Sequence, residues 1–350
     1  MASAETLCES LFFRKFRIVQ LEVLHLKTEA LNLENQTKEL MLWRIRCPAQ
    51  LVPGAFRSNR TTFVSSFGGT RMAFKAREGH LERTAGEPRD ADLHEVRLSR
   101  IDQVNERVRL FRLDLVAGPI KFLPGQWLDT YIPGVSKAGG FTITSAPSAA
   151  LANTSPYLEL AVQESPDNEP AAWLWRPAGE ILGEALRVRV GGKFVFPPAD
   201  GVPKKVVFVA GGVGVNPLVS MLGCIAEGRG VVDVRFIYAS KLPRSGKLSD
   251  IVFLDRITTL FGEDKVKGEM KLYVTAAGNA MSQGTTSING ARVEVLPRRL
   301  TMADVEAAIG DGQDQGTVVY VCGPPTMTDE LVEKLAAIVD PQRVLTERWW

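Results

Sequence analysis

The residues best placed to do chemistry are glycines. The run Ala210-Gly211-Gly212-Val213-Gly214-Val215-Asn216-Pro217 follows an uncharged, Val-rich stretch and precedes an apolar run with helical spacing. Glycines at the carboxyl end of a strand let the backbone turn tightly and let a phosphate approach it. The helix start that follows offers free N–H groups and a partial positive charge. Pro217 suits a first helical turn, where its missing N–H costs nothing. The spacing G-G-x-G-x-x-P departs from the usual G-x-G-x-x-G, and a glycine cluster on its own also fits a plain packing turn. A second run, Cys322-Gly323-Pro324-Pro325-Thr326-Met327, again closes a strand and opens a helix, 111 positions further on. Ligands of open α/β sheets lie across such edges where strand order reverses. A buried cysteine and a helix-starting proline are each common, but two such edges in one sheet point to a phosphate-bearing ligand.

Other chemistries are poorly supplied. Cys8, Cys47, Cys224 and Cys322 are far apart with no C-x-x-C pair, and His25, His80 and His94 are the only histidines. A disulfide framework, a zinc site, an iron–sulfur cluster and a haem site are therefore not expected, so any redox chemistry must come from an organic cofactor. Lys+Arg 42 against Asp+Glu 40 leaves a net charge of +2, too balanced for nucleic acid as the main partner.

The elements that must position these residues fall into two textures. Short Val-, Leu-, Phe- and Thr-rich runs at 94–101, 107–116, 126–132, 140–145, 157–163 and 186–196 are separated by Pro–Gly and Gly/Ser breaks, which predicts a small antiparallel barrel. Residues 169–176 (EPAAWLWR) predict one short helix capping an opening of it. From about 204 strands and helices alternate: strands over 204–211, 231–240, 271–276, 292–296, 317–322 and 344–346, helices over 217–227, 248–261, 302–309 and 326–339. That alternation predicts an α/β doubly wound parallel sheet with helices on both faces. The domain reading is 1–40 an upstream extension, 41–92 a basic segment and linker, 93–200 the barrel and 201–350 the α/β domain. Residues 206–226 carry no charge, but their central Gly/Asn/Pro loop reads as strand, turn and helix rather than a membrane span.

A barrel followed by this pair of motifs and a terminal Trp349-Trp350 resembles the ferredoxin–NADP reductase superfamily. HLERTA (80–85), PGQW (124–127), IPGVS (132–136), GGFTITSAP (139–147), AGGVGVNPL (210–218), YVCGPPTMTD (320–329) and the final ERWW are similar to an animal branch of it. The resemblance implies a Greek-key, flavin-binding barrel and a nicotinamide-binding α/β domain. It assigns the dinucleotide to Gly211, Gly212, Val213, Gly214, Val215, Asn216, Gly323, Pro324 and Met327, and places Cys322 beside the nicotinamide. The family's flavin motif R-x-Y-[ST]-x-x-[ST] falls on Gly139–Ser145, so Phe141, Thr142 and Ser145 would meet FAD while Gly139 replaces the phosphate-binding arginine. Its second flavin motif, G-x-x-[ST], reads Glu169-Pro170-Ala171-Ala172 and lacks both glycine and hydroxyl. A lost charge-assisted contact weakens binding by about 1.5–3 kcal/mol. Trp350, or Trp349 beside it, would stack on the flavin and move aside for the nicotinamide, with Glu347 as a hydrogen-bonding partner.

The implied reaction is hydride transfer from NAD(P)H to FAD N5, with electrons leaving to a separate acceptor, protein or small molecule. A flavin-free nicotinamide-binding sensor or assembly protein is the competing reading, and a flavin-free reductase stands behind both. Nucleotide choice stays open: Ser240, Lys241, Arg244 and Lys247 lean chemically toward NADP, while the resemblance leans toward NAD. Residues 41–77 hold seven basic residues and no acid, whereas 1–40 are mixed. A mitochondrial presequence beginning at Met41 is therefore expected, with a solvated linker as its plain alternative.

Overall fold

A computed structural model describes residues 79–228, 232–276, 281–310 and 316–349. The presequence expectation, Cys8, Cys47, His25 and Trp350 lie outside the described residues.

After a short helix, α1 (His80–Arg83), six strands form an antiparallel sheet: β1 (His94–Asn105), β2 (Val108–Leu115), β3 (Trp127–Tyr131), β4 (Gly139–Thr142), β5 (Tyr157–Gln163) and β6 (Ala185–Gly191). Their order is β4-β3-β6-β1-β2-β5. The two ends meet where Ile143 bridges Leu160 and the Thr144 N–H donates to the Glu159 carbonyl at 2.8 Å, closing the sheet into a barrel. Alternation drives this. Val96, Leu98, Phe111, Leu113, Leu128 and Val190 point inward and are buried, while their neighbours face out. Short helices α2 (Pro147–Ala150), α3 (Glu169–Leu174) and α4 (Ala178–Ile181) lie between strands, and α3 plugs the barrel with Ala171 and Leu174. The strand expected to reach 196 stops at Gly191, because Gly192 takes a φ of 97° beneath the Trp127 indole.

The second sheet runs β10-β11-β9-β8-β7-β12-β13, built from β7 (Lys205–Gly211), β8 (Asp233–Lys241), β9 (Lys267–Thr275), β10 (Gly284–Ile288), β11 (Ala291–Leu296), β12 (Thr317–Cys322) and β13 (Val344–Glu347). The central strands β7 and β12 are buried almost end to end, as strands covered on both faces must be. Helices α5 (Val215–Glu227) and α6 (Leu254–Gly262) cover one face, and α7 (Met302–Ile309) and α8 (Pro325–Leu335) the other.

Two expectations for this half of the chain need correction. The sheet is not wholly parallel, since β10 pairs antiparallel with β11 through the Asn289-Gly290 turn. The polar Gly284–Ile288 stretch hid that strand because an exposed edge needs no apolar face. The helix expected over 248–261 is broken after one 3-10 turn, Leu248–Asp250, because Phe253 sits in the left-handed region at φ 60°. The buried Tyr238 hydroxyl donates to the Val252 carbonyl there at 3.1 Å.

Barrel and sheet share bonds. Asn216 Nδ2 donates to the Ala161 carbonyl at 2.9 Å and Ser220 Oγ to the Ser145 carbonyl at 2.7 Å. Tyr320 Oη reaches the Val195 carbonyl at 2.9 Å, and Arg256 grips Glu159 with both terminal nitrogens at 2.8 and 2.9 Å.

Candidate functional site

β7 and β12 are hydrogen-bonded neighbours, yet the chain leaves them in opposite directions, from β7 toward β8 and from β12 toward β13. Their carboxyl ends form the reversal point at which ligands of open sheets lie. Both glycine motifs are there and interlock. A Cβ on Gly214 would lie 2.3 Å from the Cys322 carbonyl oxygen, and one on Gly211 would lie 2.6 Å from Pro324 Cδ. One on Gly323 would lie 2.3 Å from Met327 Cε. Gly214 meets backbone and Gly211 the Pro324 ring, so packing requires both, whereas at Gly323 only the flexible end of Met327 comes closer than 3.0 Å.

Gly212 is different. It turns the chain at φ 54°, and a Cβ there would meet nothing within 4 Å. No side chain caps the start of α5 just beyond it. An open cradle of backbone at the start of a 13-residue helix is what a pyrophosphate needs, so the residues fit a dinucleotide.

Not every motif residue faces that cradle. Val215 and Asn216 turn inward: Val215 is in the core, and Asn216 ties α5 to β5 while its Oδ1 has no partner. Val213 is half-buried on the same core, Pro324 is exposed at the start of α8, and Met327 covers the Gly211–Gly323 contact.

Cys322 and Glu347 face each other in the β12–β13 register. Cys322 is fully buried, and burial, then the neighbouring Glu347, pushes its thiol well above the ordinary value. Glu347 Oε2 has no hydrogen-bond partner. Burial pushes its carboxyl far up, a hydrogen bond with the Trp349 side chain opposes this, and Glu87 adds to it. Burial thus favours the uncharged form of both groups.

Trp349 stands on His80, 22° from coplanar with centroids 6.1 Å apart, and edge-on to Trp127 at 6.5 Å. The Arg83 guanidinium donates to its carbonyl. This arrangement depends on a cluster that sequence reasoning missed. Asp129, wholly buried on β3, receives His80 Nε2 at 2.9 Å, Arg89 Nε at 2.9 Å and Arg189 Nη2 at 2.7 Å. The cluster fastens residues 80–89 across the outside of the barrel, with the His80 ring where a Cβ on Gly140 would stand. An aspartate inside the apolar strand Trp127-Leu128-Asp129 was the available signal, since such a charge needs cationic partners.

The residues assigned to flavin are arranged otherwise than the resemblance implies. Phe141 lies in the barrel core at 9% exposure, and its ring fills the space above Gly139. A Cβ at Gly139 would lie 2.4 Å from Phe141 Cε2 and 2.7 Å from Pro170 Cβ, so an arginine has no room there. At the start of α3, Asn168 Oδ1 takes the Ala171 N–H at 3.3 Å, Pro170 has none to give, and Glu169 places an acid where a phosphate would go. Ser145 Oγ accepts the Glu159 N–H at 3.2 Å, and Thr142 is buried beside Trp127. These residues do not fit the phosphate arm of a flavin.

Residues 208–333 match the family model of the oxidoreductase NAD-binding domain. Oxidoreductase NAD-binding domain-containing protein 1 of Xenopus laevis is 31% identical over 292 residues, covering 80% of this chain and 87% of that relative. Among solved structures, the ferredoxin reductase of carbazole 1,9a-dioxygenase superposes with a TM-score of 0.56 at 20% identity, over 74% of this chain and 70% of that one. A ferredoxin NADP+ reductase from Neisseria gonorrhoeae with bound FAD and NADP superposes with a TM-score of 0.55 at 16% identity, over 74% and 99% of the two chains. These two likenesses show the two-domain fold.

Proposed function

The chain belongs to the family of the oxidoreductase NAD-binding domain-containing protein 1, and on that premise we propose that it is an NAD(P)H oxidoreductase. The dinucleotide lies across the carboxyl ends of β7 and β12. The observation that carries this reading is the interlock of Gly211 and Gly214 with Cys322–Pro324 beside the open backbone at Gly212. Bound there, the nicotinamide supplies a hydride from its C4.

The chain's own contribution is placement and dryness. Gly212–Gly214 and the first turn of α5 give backbone N–H groups to the pyrophosphate. Gly323 and Pro324 shape the second wall. Cys322 and Glu347, whose burial favours their uncharged forms, would line the place of the ring and offer little anionic charge to the oxidised, cationic nicotinamide. Trp349 excludes water from the same edge. Electrons pass to a separate acceptor.

A second reading, a nucleotide-binding sensor without turnover, is favoured by the filled flavin-phosphate position. Titration of the full chain with NADH and NADPH, followed by tryptophan fluorescence, tests nucleotide binding. Gly212→Asn makes the test specific: asparagine tolerates the left-handed backbone and fills the open cradle. Its Kd is expected to rise about tenfold with unchanged thermal stability. Unaltered affinity would remove the dinucleotide from this edge. Oxidation of the bound nucleotide by dichlorophenolindophenol separates reductase from sensor.

A further inference from the structure

The seat of the flavin's phosphate arm is filled by the chain itself, while the place for a ring is closed by a side chain that contacts could release. Phe141 and Pro170 occupy the space above Gly139, and Glu169 sets an acid at the start of α3. A phosphate entering there meets a carboxylate that already holds the Ser136 hydroxyl at 3.1 Å and the Lys137 ammonium at 4.0 Å, and a helix start whose N–H at Ala171 is already bonded to Asn168. Its desolvation would go uncompensated. The ring side differs in kind. Thr142 pairs with Trp127 in the β3–β4 register, and Trp127 lies against Trp349. Two residues before Trp349, Glu347 pairs with Cys322 at the nucleotide edge. Trp349 thus bridges the barrel strand and the dinucleotide edge, half-buried, and is held by a carbonyl bond from Arg83, a side-chain hydrogen bond with Glu347 and ring contacts with His80 and Trp127. With its side chain withdrawn, the space it leaves is walled by the His80 and Trp127 rings, which suits a flat conjugated ligand, and the guanidiniums beside it are already engaged, Arg83 by the Trp349 carbonyl and Arg89 by Asp129 and the Trp127 ring.

We propose that this chain keeps no resident flavin and instead takes one reversibly through its isoalloxazine ring alone, in competition with Trp349. The proposal rests on the dinucleotide reading above, which places the ring beside the nicotinamide. It is a statement about recognition: riboflavin, FMN and FAD differ only in the arm that has no seat here.

Full chain, purified without added flavin, is examined by absorbance at 450 nm and then titrated with riboflavin, FMN and FAD, using quenching of the flavin's own fluorescence. Colourless protein and three Kd values within about threefold of one another are expected, since tenfold would signal 1.4 kcal/mol of arm recognition. Trp349→Ala is expected to tighten all three equally, and Glu169→Gly with Ala172→Ser to favour FMN and FAD over riboflavin. Protein carrying stoichiometric FAD, or FAD bound more than about tenfold tighter than riboflavin, overturns the proposal. So does failure of all three flavins to bind both the parent and Trp349→Ala. Nucleotide affinity, measured separately in the same samples, tells failure of this inference from failure of the dinucleotide reading.

Discussion

Gly214 rests directly on the carbonyl oxygen of Cys322: a Cβ on the glycine would stand 2.3 Å from that atom. The two motifs therefore meet backbone to backbone, which is possible only because Gly214, at the end of the turn after β7, has no side chain to come between it and the Cys322 carbonyl. Gly214→Ala must push β12 from α5. Overpacking of this kind costs about 1–3 kcal/mol. A drop in melting temperature together with weakened nucleotide binding is expected, measured by calorimetry with and without NADPH. Gly212→Asn, with open space above it, should lower affinity alone.

The Asp129 cluster predicts an acid-labile strap. Burial pushes the Asp129 carboxyl up, but hydrogen bonds from His80, Arg89 and Arg189 outweigh it and hold the group below its ordinary 3.8. A depressed folded value stabilises the fold above the unfolded value and loses that stabilisation as pH falls through the folded one. Stability in urea should therefore fall below about pH 4. Asp129→Asn should remove that part of the acid dependence. Removing one partner of a buried ion group costs about 3–5 kcal/mol, so trypsin should cut Asp129→Asn at Arg83 or Arg89 far faster than the parent.

Glu347 gives the opposite sign. Burial raises its carboxyl in the folded chain, so ionisation in the unfolded chain draws stability away as pH rises above the ordinary 4.5. Glu347→Gln imitates the protonated acid. It should leave stability unchanged at pH 4 and raise it at pH 7, in parallel urea titrations.

Cys322 should behave as an inert thiol. Its burial keeps it protonated, and Cys224, half-buried on α5, is pushed up to about 11, first by burial and then by Glu227. Iodoacetamide at pH 7.5 should leave both unlabelled in native protein and label both in guanidinium, as read by mass spectrometry. Fast labelling of native Cys322 would show a thiolate at the end of β12.

Nucleotide preference should follow the end of β8. Ala239 pairs with Gly211, so Ser240 and Lys241 stand beside the cradle, and Lys241 and Arg244 are exposed without an ion pair among the described residues. The last residues of β8, Ala239-Ser240-Lys241, include no acid, and in the loop beyond the Arg244 N–H donates to the Glu106 carboxylate at 3.3 Å. NADPH should bind more tightly than NADH, and Lys241→Ala with Arg244→Ala should erase the difference by weakening NADPH only.

Most strands, the longer helices and the meeting of the two glycine motifs were legible in the sequence, because those are written in local patterns. Alternation along 94–101 and 107–116 can bury only one face, and the Val-rich run into Gly211 can only be a covered strand that turns at its end. What it could not decide was which motif residues reach the edge. Asn216 belongs to the loop yet bonds Ala161 of the barrel, 55 residues earlier. The flavin reading depended on matching positions in a pattern, and the pattern says nothing of what fills the space left by a missing arginine. Only the tertiary structure puts Phe141 and Pro170 there. The ends of the chain show the same limit: His80, Asp129 and Trp349 are unremarkable apart, and become one device because folding stacks a ring from each end of the described chain on a strand with a buried charge. Periodicity records what a residue needs from its neighbours in sequence, whereas a site is set by neighbours in space.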